Sequence, residues 1–410
     1  MMLKKESGFT MVELLITMVV FVFVMVAASQ IFSGLLTQFK QQSKISETNI
    51  EGLVGLEMLR QDLEHLGYGL PWTVGVTYSE SSTNNPSGLS SPALSTINDS
   101  PLAPRAVISG NDVTYGGDNS IFTGSDYLVI KAVNVALNDA SQRWTTLKNA
   151  TLFPPPNNLR QWIPASENLE PKDRVIVISP GSSDDNARRL VVVGGEFYTT
   201  FDNITSSGWP PDDNTETRLV YGINNADDPD NPQRPFNRAD FFISRVNNIV
   251  PQRCAPNTGV LVKAVLNHGG AYDNVLPLLD CVADMQIIYA LDMNEDGTIG
   301  TCSNADGSTI YKGSLLCPGE NNITGTPITI ANVQETIGNA AFLRRRLGEV
   351  RVFILAHEGQ RDVNYTYQTN SIIVGEFGLG RIFNLTTITD WQDYRWKIYS
   401  ISVNPINLLR

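Results

Sequence analysis

The longest apolar stretch of the chain lies close to its N-terminus. Residues 14–28 contain a single polar side chain, the neutral Thr17. Taken from residue 9 onward, the stretch is long enough to form a helix of about 30 Å, the thickness of one hydrocarbon core. Lys4 and Lys5 precede it, so the charge bias keeps the short N-terminus in the cytoplasm and sends the rest of the chain across the membrane. The pattern predicts a membrane-spanning helix over residues 9–29.

Beyond this span, apolar residues continue to recur at roughly helical spacing, and no proline occurs before Pro71. Gly67 and Gly69, followed by Pro71, form a helix stop signal. We therefore expect one helix over residues 9–67, with its first half in the membrane and its second half packed against a globular head. Three glycines are the weak points of this stem: Gly34, Gly52 and Gly55.

The rest of the chain alternates short strand-like runs with polar loops. Residues 78–104 and 206–240 are rich in Ser, Asn, Asp and Pro and predict surface loops. The pattern predicts an α+β fold, in which the long helix lies on an antiparallel sheet. A strand-rich head with loop insertions would cover residues 68–250, and a C-terminal sheet region residues 251–410. The strand-like runs are 126–133, 173–178, 190–193, 196–201, 241–245, 259–266, 285–291, 349–356, 371–374 and 397–403.

Charge and motif content narrow the function classes. The 410 residues include 30 basic and 42 acidic side chains, a net charge of −12, which excludes nucleic acid as the obvious partner. The sequence has three histidines, no Gly-x-Ser-x-Gly, no phosphate loop and no His-Glu-x-x-His. We expect no enzymatic activity; the alternative is a membrane-anchored envelope enzyme that uses a carboxylate pair. His357 follows a strand-like run and is predicted to be a surface residue at a strand end.

The residues around the start of the apolar stretch form a specific motif. Residues 4–15 read KKESGFTMVELL: a short basic leader, Gly8, then Phe-Thr-x-x-Glu at the head of the helix. This arrangement resembles the class III signal of type IV pilins and type II secretion pseudopilins. The resemblance implies that a prepilin peptidase cuts between Gly8 and Phe9, removing residues 1–8 as a leader, and methylates the Phe9 amine. Glu13 is then the implied assembly residue, whose charge is offset by a cationic N-terminus of a neighbouring subunit.

Three patches in the C-terminal half resemble the PilW family of minor pilins: residues 282–297, 347–356 and 394–399. Residues 72–250 are unmatched, and the tail at 400–405 departs from the Arg-Asn ending usual in that family. The resemblance implies a single-pass inner-membrane protein with a cytoplasmic N-terminus and an exported head. It would prime pilus assembly, end at the pilus tip and support adhesion. Its implied partners are other minor pilins, the major pilin, prepilin peptidase and the inner-membrane assembly platform. The alternative is a J-type pseudopilin of type II secretion.

Four cysteines lie in the last part of the chain, which the predicted topology places outside the reducing cytoplasm. Disulfides are therefore expected. Three pairings can be drawn, and we favour sequence neighbours, Cys254 with Cys281 and Cys302 with Cys317. A loop the size of the second would contribute about 3 kcal/mol in the chain-entropy model. Zinc is the alternative, but the sequence contains no Cys-x-x-Cys.

An acidic segment follows the strand-like run 285–291. Its sequence D-x-N-x-D-G matches the first half of a calcium loop, in which oxygen ligands alternate and glycine allows a sharp turn. Ser303 stands where such a loop carries its final glutamate. Two interpretations stay open: a hairpin turn without metal, or a calcium site completed by Asp306 or Asp284. No other cofactor is expected. The candidate ligands within the loop are Asp292, Asn294 and Asp296.

Overall fold

The computed structural model describes residues 10–81, 97–113, 121–181, 187–245 and 250–408. Helix α1 occupies Met11–Glu64 and ends just before two glycines with positive φ, Gly67 at 72° and Gly69 at 64°. A residue with a side chain would be strained at these positive φ angles, whereas glycine adopts them freely. The two glycines therefore allow the chain to leave the helix here. The long N-terminal helix and the antiparallel sheets confirm the predicted α+β fold.

The described strands form two main sheets and a hairpin, all with antiparallel pairing between strands. The larger sheet has nine strands in the order β1-β2-β8-β9-β10-β11-β12, with β13 on the other edge of β10 and β16 beyond it. The smaller sheet has the order β3-β7-β4-β5, with β6 also on β4, and the hairpin is β14-β15. The strands are β1 (Val107–Val113), β2 (Ser125–Ala132), β3 (Trp144–Lys148), β4 (Asp173–Ser179), β5 (Arg189–Leu190), β6 (Tyr198–Thr200), β7 (Thr217–Asn225), β8 (Asn237–Ser244), β9 (Gly259–Leu266), β10 (Tyr272–Leu291), β11 (Thr301–Asn304), β12 (Ile310–Tyr311), β13 (Leu347–Glu358), β14 (Ser371–Val374), β15 (Arg381–Asn384) and β16 (Arg395–Val403).

The second half of α1 packs on the larger sheet. Its buried leucines join the main core, and the helix approaches β10 so closely that two glycines are required at the contact. A Cβ added at Gly55 would lie 1.9 Å from the carbonyl oxygen of Leu278, and one at Gly52 would lie 2.7 Å from a Leu279 methyl group. These glycines, which the sequence suggests are weak points, therefore permit the docking. The leucines are Leu56, Leu59 and Leu63, and Leu66 joins the same core just after the helix ends.

Strand β10 is much longer than the predicted run 285–291. Its first part pairs with β9, and its second part pairs with β13. The register shifts between Pro277 and Val282, and Cys281 has a φ of 60°. These bulges interrupt the apolar alternation, which is why the sequence pattern identifies only the second part of the strand.

The smaller sheet is an insertion within the head. It extends from β3 to β7 and has its own core, which includes Val175, Trp209 and Val220. The predicted loop over 206–240 is wrong in part, because β7 and the start of β8 lie within it. Polar residues at the ends of β7 give this strand the composition of a loop. Since β8 pairs with β9, one sheet crosses the predicted boundary at residue 250.

Two short helices lie between β12 and β13, and the sequence pattern does not predict them. Helix α2 occupies Ile330–Gly338 and begins with a capping box between Thr329 and Asn332. Helix α3 occupies Ala340–Arg346, and the Asn339 side chain accepts hydrogen bonds from two of its first backbone N–H groups. Each helix is therefore started by a polar side chain that satisfies otherwise unpaired donors.

Candidate functional site

The first turn of α1 contains the predicted assembly residue. Thr10 is the N-cap, and Glu13 completes a capping box with it. The Thr10 hydroxyl accepts from the Glu13 backbone N–H at 3.3 Å, and Glu13 Oε2 accepts from the Thr10 backbone N–H at 2.9 Å. The box satisfies two donors that a helix start otherwise leaves unpaired. The predicted cleavage and methylation residues, Gly8 and Phe9, lie outside the described residues.

One helix segment of the described chain is long and apolar enough to cross a membrane, Met11–Leu36. Its 26 residues, none of them buried, correspond to about 39 Å of helix. The segment continues seven residues beyond the predicted span of 9–29, so it exceeds a 30 Å hydrocarbon core and would tilt or project from it. Apolar side chains exposed on every face need to be covered, and the described residues of this chain do not cover them.

All four cysteines are paired in disulfides. Cys254 bonds to Cys281 with a Cα–Cα distance of 4.8 Å, and Cys302 bonds to Cys317 at 5.8 Å. These are the sequence neighbours that we favoured. The first bridge joins the segment before β9 to the bulge of β10, and the second joins β11 to the loop after β12.

The acidic loop after β10 brings three carboxylates together. Asp292 is buried, Asp296 is exposed and Glu320 is partly buried, and one oxygen of each lies within 4.8 Å of the others. Asp292 accepts from the backbone N–H groups of Asp296 at 3.1 Å and Gly297 at 2.7 Å. Asn294 Nδ2 donates to Asp296 at 3.0 Å. Burial, followed by the charges of Asp292 and Asp296, raises the pKa of Glu320.

Glu320 replaces both residues that we considered as the missing calcium ligand. Asp284 forms a two-pronged ion pair with Arg381, with both contacts at 2.8 Å. Asp306 caps its own turn through the Ser308 N–H. The Cys302–Cys317 bridge holds the chain three residues before Glu320, and Gly300 leaves room for it, since a Cβ there would lie 2.4 Å from the Glu320 carboxyl carbon.

The prediction that His357 is a surface residue is wrong. Its side chain is buried, with ring contacts to Tyr394 at 4.5 Å and Trp396 at 5.2 Å. Its Nε2 accepts from the Ala255 N–H at 2.8 Å, and burial lowers the pKa of the imidazole to about 3. His357 lies near Cys254 and Cys281, but both sulfurs are used in the disulfide. His357 is therefore a neutral core residue of β13 that packs against Tyr394 and Trp396.

A buried ionic network joins the head segments on either side of residues 82–96. Lys131 contacts Glu80 at 2.7 Å and Asp99 at 2.6 Å, and all three side chains are nearly inaccessible. Arg238 binds Asp240 through two contacts at 2.7 Å. Its Nη1 also contacts Glu80 Oε2 at 3.3 Å and Asn98 Oδ1 at 2.8 Å. Buried charges are tolerated only when they are paired and hydrogen-bonded. The network therefore holds the described residues on either side of positions 82–96 to β2 and β8.

Comparison with known proteins identifies the N-terminal segment. The family model of the prokaryotic N-terminal methylation motif matches residues 3–29. No curated protein and no solved structure matches the chain. The matched segment contains Gly8, Phe9 and Glu13 and leads into the apolar helix. The match supports a type IV pilin-like protein that is processed as a prepilin, anchored in the inner membrane and associated with pilus-assembly partners in general. Pilins and pseudopilins share this motif.

Proposed function

We propose that the chain is a minor type IV pilin of the PilW kind, a structural and non-catalytic subunit that takes part in priming and tip assembly of the pilus. The observation that carries the proposal is where the PilW-like patches fall in the fold. They lie on β10 with its following loop, on β13 and on β16, and β13 pairs with both of the other strands. Patches that are distant in sequence therefore form one continuous part of the sheet on which α1 docks.

The first experiment examines the mature N-terminus. Mass spectrometry of the membrane-extracted protein is expected to give a chain that begins at methylated Phe9. Intact residues 1–8, or cleavage after Ala28, would contradict prepilin processing. The measurement tests the class of protein, on which the rest of the proposal depends.

A deletion strain distinguishes a minor pilin from a J-type pseudopilin, which has the same N-terminal motif. We expect loss of surface pili and of twitching motility, with the set of secreted proteins unchanged. Complementation with the full chain should restore piliation. Normal pili with a secretion defect would contradict the pilus role and support the pseudopilin.

The inserted sheet offers a test of the adhesive role. The chain enters and leaves the insertion at adjacent points, since Asn138 Nδ2 donates to the Ile223 carbonyl at 3.1 Å. Replacing residues 139–222 by a short linker should therefore preserve the larger sheet. Pili that form but no longer attach would support adhesion through the insertion, whereas normal attachment would contradict it.

The acidic loop is proposed to bind one calcium ion through Asp292, Asn294, Asp296 and Glu320. Oxygen ligands on a tight turn suit this cation, and the mutual repulsion of the carboxylates is relieved when it binds. Calorimetry of the full chain in detergent should give a dissociation constant of about 10⁻⁴ to 10⁻³ M, as in extracellular modules.

The matched variants for this site are Asp292→Ala and Asp306→Ala. The first should abolish the calcium heat, while the second, which removes a turn carboxylate outside the cluster, should leave it unchanged. No calcium heat for the wild-type protein, or equal heat in both variants, would leave the segment as a hairpin turn.

A further inference from the structure

A cavity of about 450 Å³ lies between the larger sheet and the β14-β15 hairpin. This volume falls within the range of small-molecule sites. Its walls come from four chain segments that are distant in sequence. These are the residues just before β2, the residue just after β8, a residue just before β9, and β15 with the turn that follows it. The lining includes Phe122, Arg245, Asn257, Arg381, Phe383 and Thr387.

The two arginines of the cavity differ in how their charges are compensated. Arg381 is neutralised by Asp284, with guanidinium–carboxylate contacts of 2.8 Å. Arg245 instead donates from Nη2 to the side-chain oxygen of Asn257 at 3.0 Å, a neutral partner. Its Nε is buried and has no acceptor within the part of the chain that the structure describes. Among the residues that the structure describes, the cavity lining has no carboxylate, so in a chain of net charge −12 these residues present an uncompensated cation.

The position of Arg245 is fixed by its neighbour. Asn257 accepts from the guanidinium through Oδ1 and donates through Nδ2 to the Thr387 carbonyl at 3.2 Å. The backbone of Asn257 is left-handed, with a φ of 65°, a conformation that asparagine tolerates better than most side chains. The amide thus links β8 to the turn after β15, and a preorganised guanidinium loses little freedom when it binds an anion.

The remaining walls are of mixed character. Phe122 and Phe383 supply apolar surface, and Arg381 stacks on the Phe383 ring at 5.3 Å from its centroid. Gly124 leaves room for this arginine, because a Cβ there would lie 2.6 Å from Arg381 Nη1. Apolar walls with a few fixed polar groups are typical of sites that orient a small ligand.

We propose that this cavity binds a small ligand with one carboxylate on a partly apolar body, held by Arg245. The planar guanidinium matches a carboxylate in geometry. A single uncompensated cation balances one negative charge, which favours a monocarboxylate over a doubly charged phosphate group. A uronic acid and the carboxyl terminus of a peptide both provide this chemistry, and the probes below separate them.

The experiment titrates the full chain in detergent with two carboxylate probes by calorimetry. Glucuronate represents the sugar source and N-acetylphenylalaninate the peptide source; glucose and N-acetylphenylalaninamide are their neutral counterparts. We expect at least one carboxylate to bind, with its neutral counterpart about tenfold weaker or more, because a charge-assisted hydrogen bond is lost. The tighter carboxylate identifies the source.

Variants locate the binding. Arg245→Gln should weaken carboxylate binding about tenfold or more, whereas Arg160→Gln, which alters an exposed arginine in the loop between β3 and β4, should not. Thr123→Trp tests the cavity independently of the Arg245 contacts, because Thr123 is an exposed lining residue and a large ring there should block entry. Failure of both carboxylates to bind, equal binding of the neutral probes, or binding unchanged in Thr123→Trp would overturn the proposal.

Discussion

The two halves of helix α1 differ in their surroundings as well as in their composition, since the first half is much richer in apolar residues than the second. In the segment Met11–Leu36 no residue is buried, whereas Leu59 and Leu63 in the second half are fully buried against the sheet. The second half is stabilised by contacts within this chain. The first half must obtain its contacts from lipid or from other helices, because the described residues of this chain do not cover its apolar side chains.

The glycines of the helix show the same contrast. Gly55 lies where a Cβ would meet the Leu278 carbonyl oxygen, whereas Gly34 has nothing within 4 Å of such a Cβ. A glycine in the docked half is thus required by packing, while the one in the exposed half only weakens the helix in this chain. Whether a glycine of this helix is required or only weakens the helix therefore depends on what the helix packs against at that position.

The largest expected effect concerns Glu13. If the exposed half of the helix is completed by a cationic N-terminus of another subunit, Glu13→Gln removes one partner of a pair buried in lipid. Such a loss costs about 3–5 kcal/mol, a factor of at least about 100 in assembly. Immunoblotting of sheared pili measures incorporation, and the unfolding of the head should be unchanged.

The matched control for that experiment is Glu57→Gln. Glu57 is exposed on the docked half of the same helix, and its ion-pair partner among the described residues is Arg60 at 3.9 Å. It should incorporate like wild type. Glutamine at position 13 retains an oxygen that can accept the capping hydrogen bonds, so normal incorporation of Glu13→Gln would show that the charge is not needed.

The docked half contains a nearly buried ion pair, and removing one partner gives the next largest effect. Lys263 Nζ contacts Asp62 Oδ2 at 2.7 Å, and burial raises the pKa of Asp62 although Lys263 opposes the shift. Lys263→Met should destabilise the head by about 3 kcal/mol at pH 7. The pKa of Asp62 then rises further, so the folded state holds the proton more tightly than the unfolded state. The loss of folding stability relative to wild type should therefore become smaller as the pH falls towards 4.

Urea unfolding at pH 7 and pH 4.5 measures this dependence. The double variant Asp62→Leu with Lys263→Met should lie within about 1 kcal/mol of wild type, because an apolar pair can replace a buried ion pair. A double variant as unstable as the single one would mean that the ion pair, and not apolar packing, holds the second half of α1 to the sheet.

Much of the fold follows from sequence where apolar residues form uninterrupted runs. The predicted strands 259–266 and 371–374 have the same bounds as β9 and β14. Strands with bulges or polar ends, such as β10 and β7, are shortened or missed, because the pattern of a strand depends on pairing that the local sequence does not contain.

The residues of the candidate sites can likewise be predicted only where the local sequence itself carries the signal. Glu13 is identified by its place in a contiguous motif, but Glu320 approaches the acidic loop only because a disulfide and Gly300 bring it there. Lys131 could have been found, since it is the one basic residue in the strand-like run 126–133. A lysine in such a buried strand requires an anionic partner. Which carboxylates pair with this lysine depends on the tertiary structure.

The glycine contrast gives a third prediction. By helix propensity, alanine stabilises either position by about 1 kcal/mol. Gly55→Ala should nevertheless destabilise the head by about 1–3 kcal/mol, because its Cβ overlaps the backbone of Leu278. Gly34→Ala should leave the unfolding of the head unchanged. Urea unfolding followed by near-ultraviolet circular dichroism compares them, and equal stability of the two variants would contradict the close docking.

The smallest expected effect concerns the capping box at the start of the exposed half. Thr10→Ala removes the hydroxyl that accepts from the Glu13 N–H, a loss of about 1 kcal/mol, or roughly fivefold faster amide exchange in the first turn. Thr10→Ser keeps the hydroxyl and should exchange like wild type. Because Thr10 and Glu13 are exposed, the cap should be the main local stabiliser of this turn in detergent. Equal protection in both variants would mean that the surrounding medium, and not the cap, fixes the start of the helix.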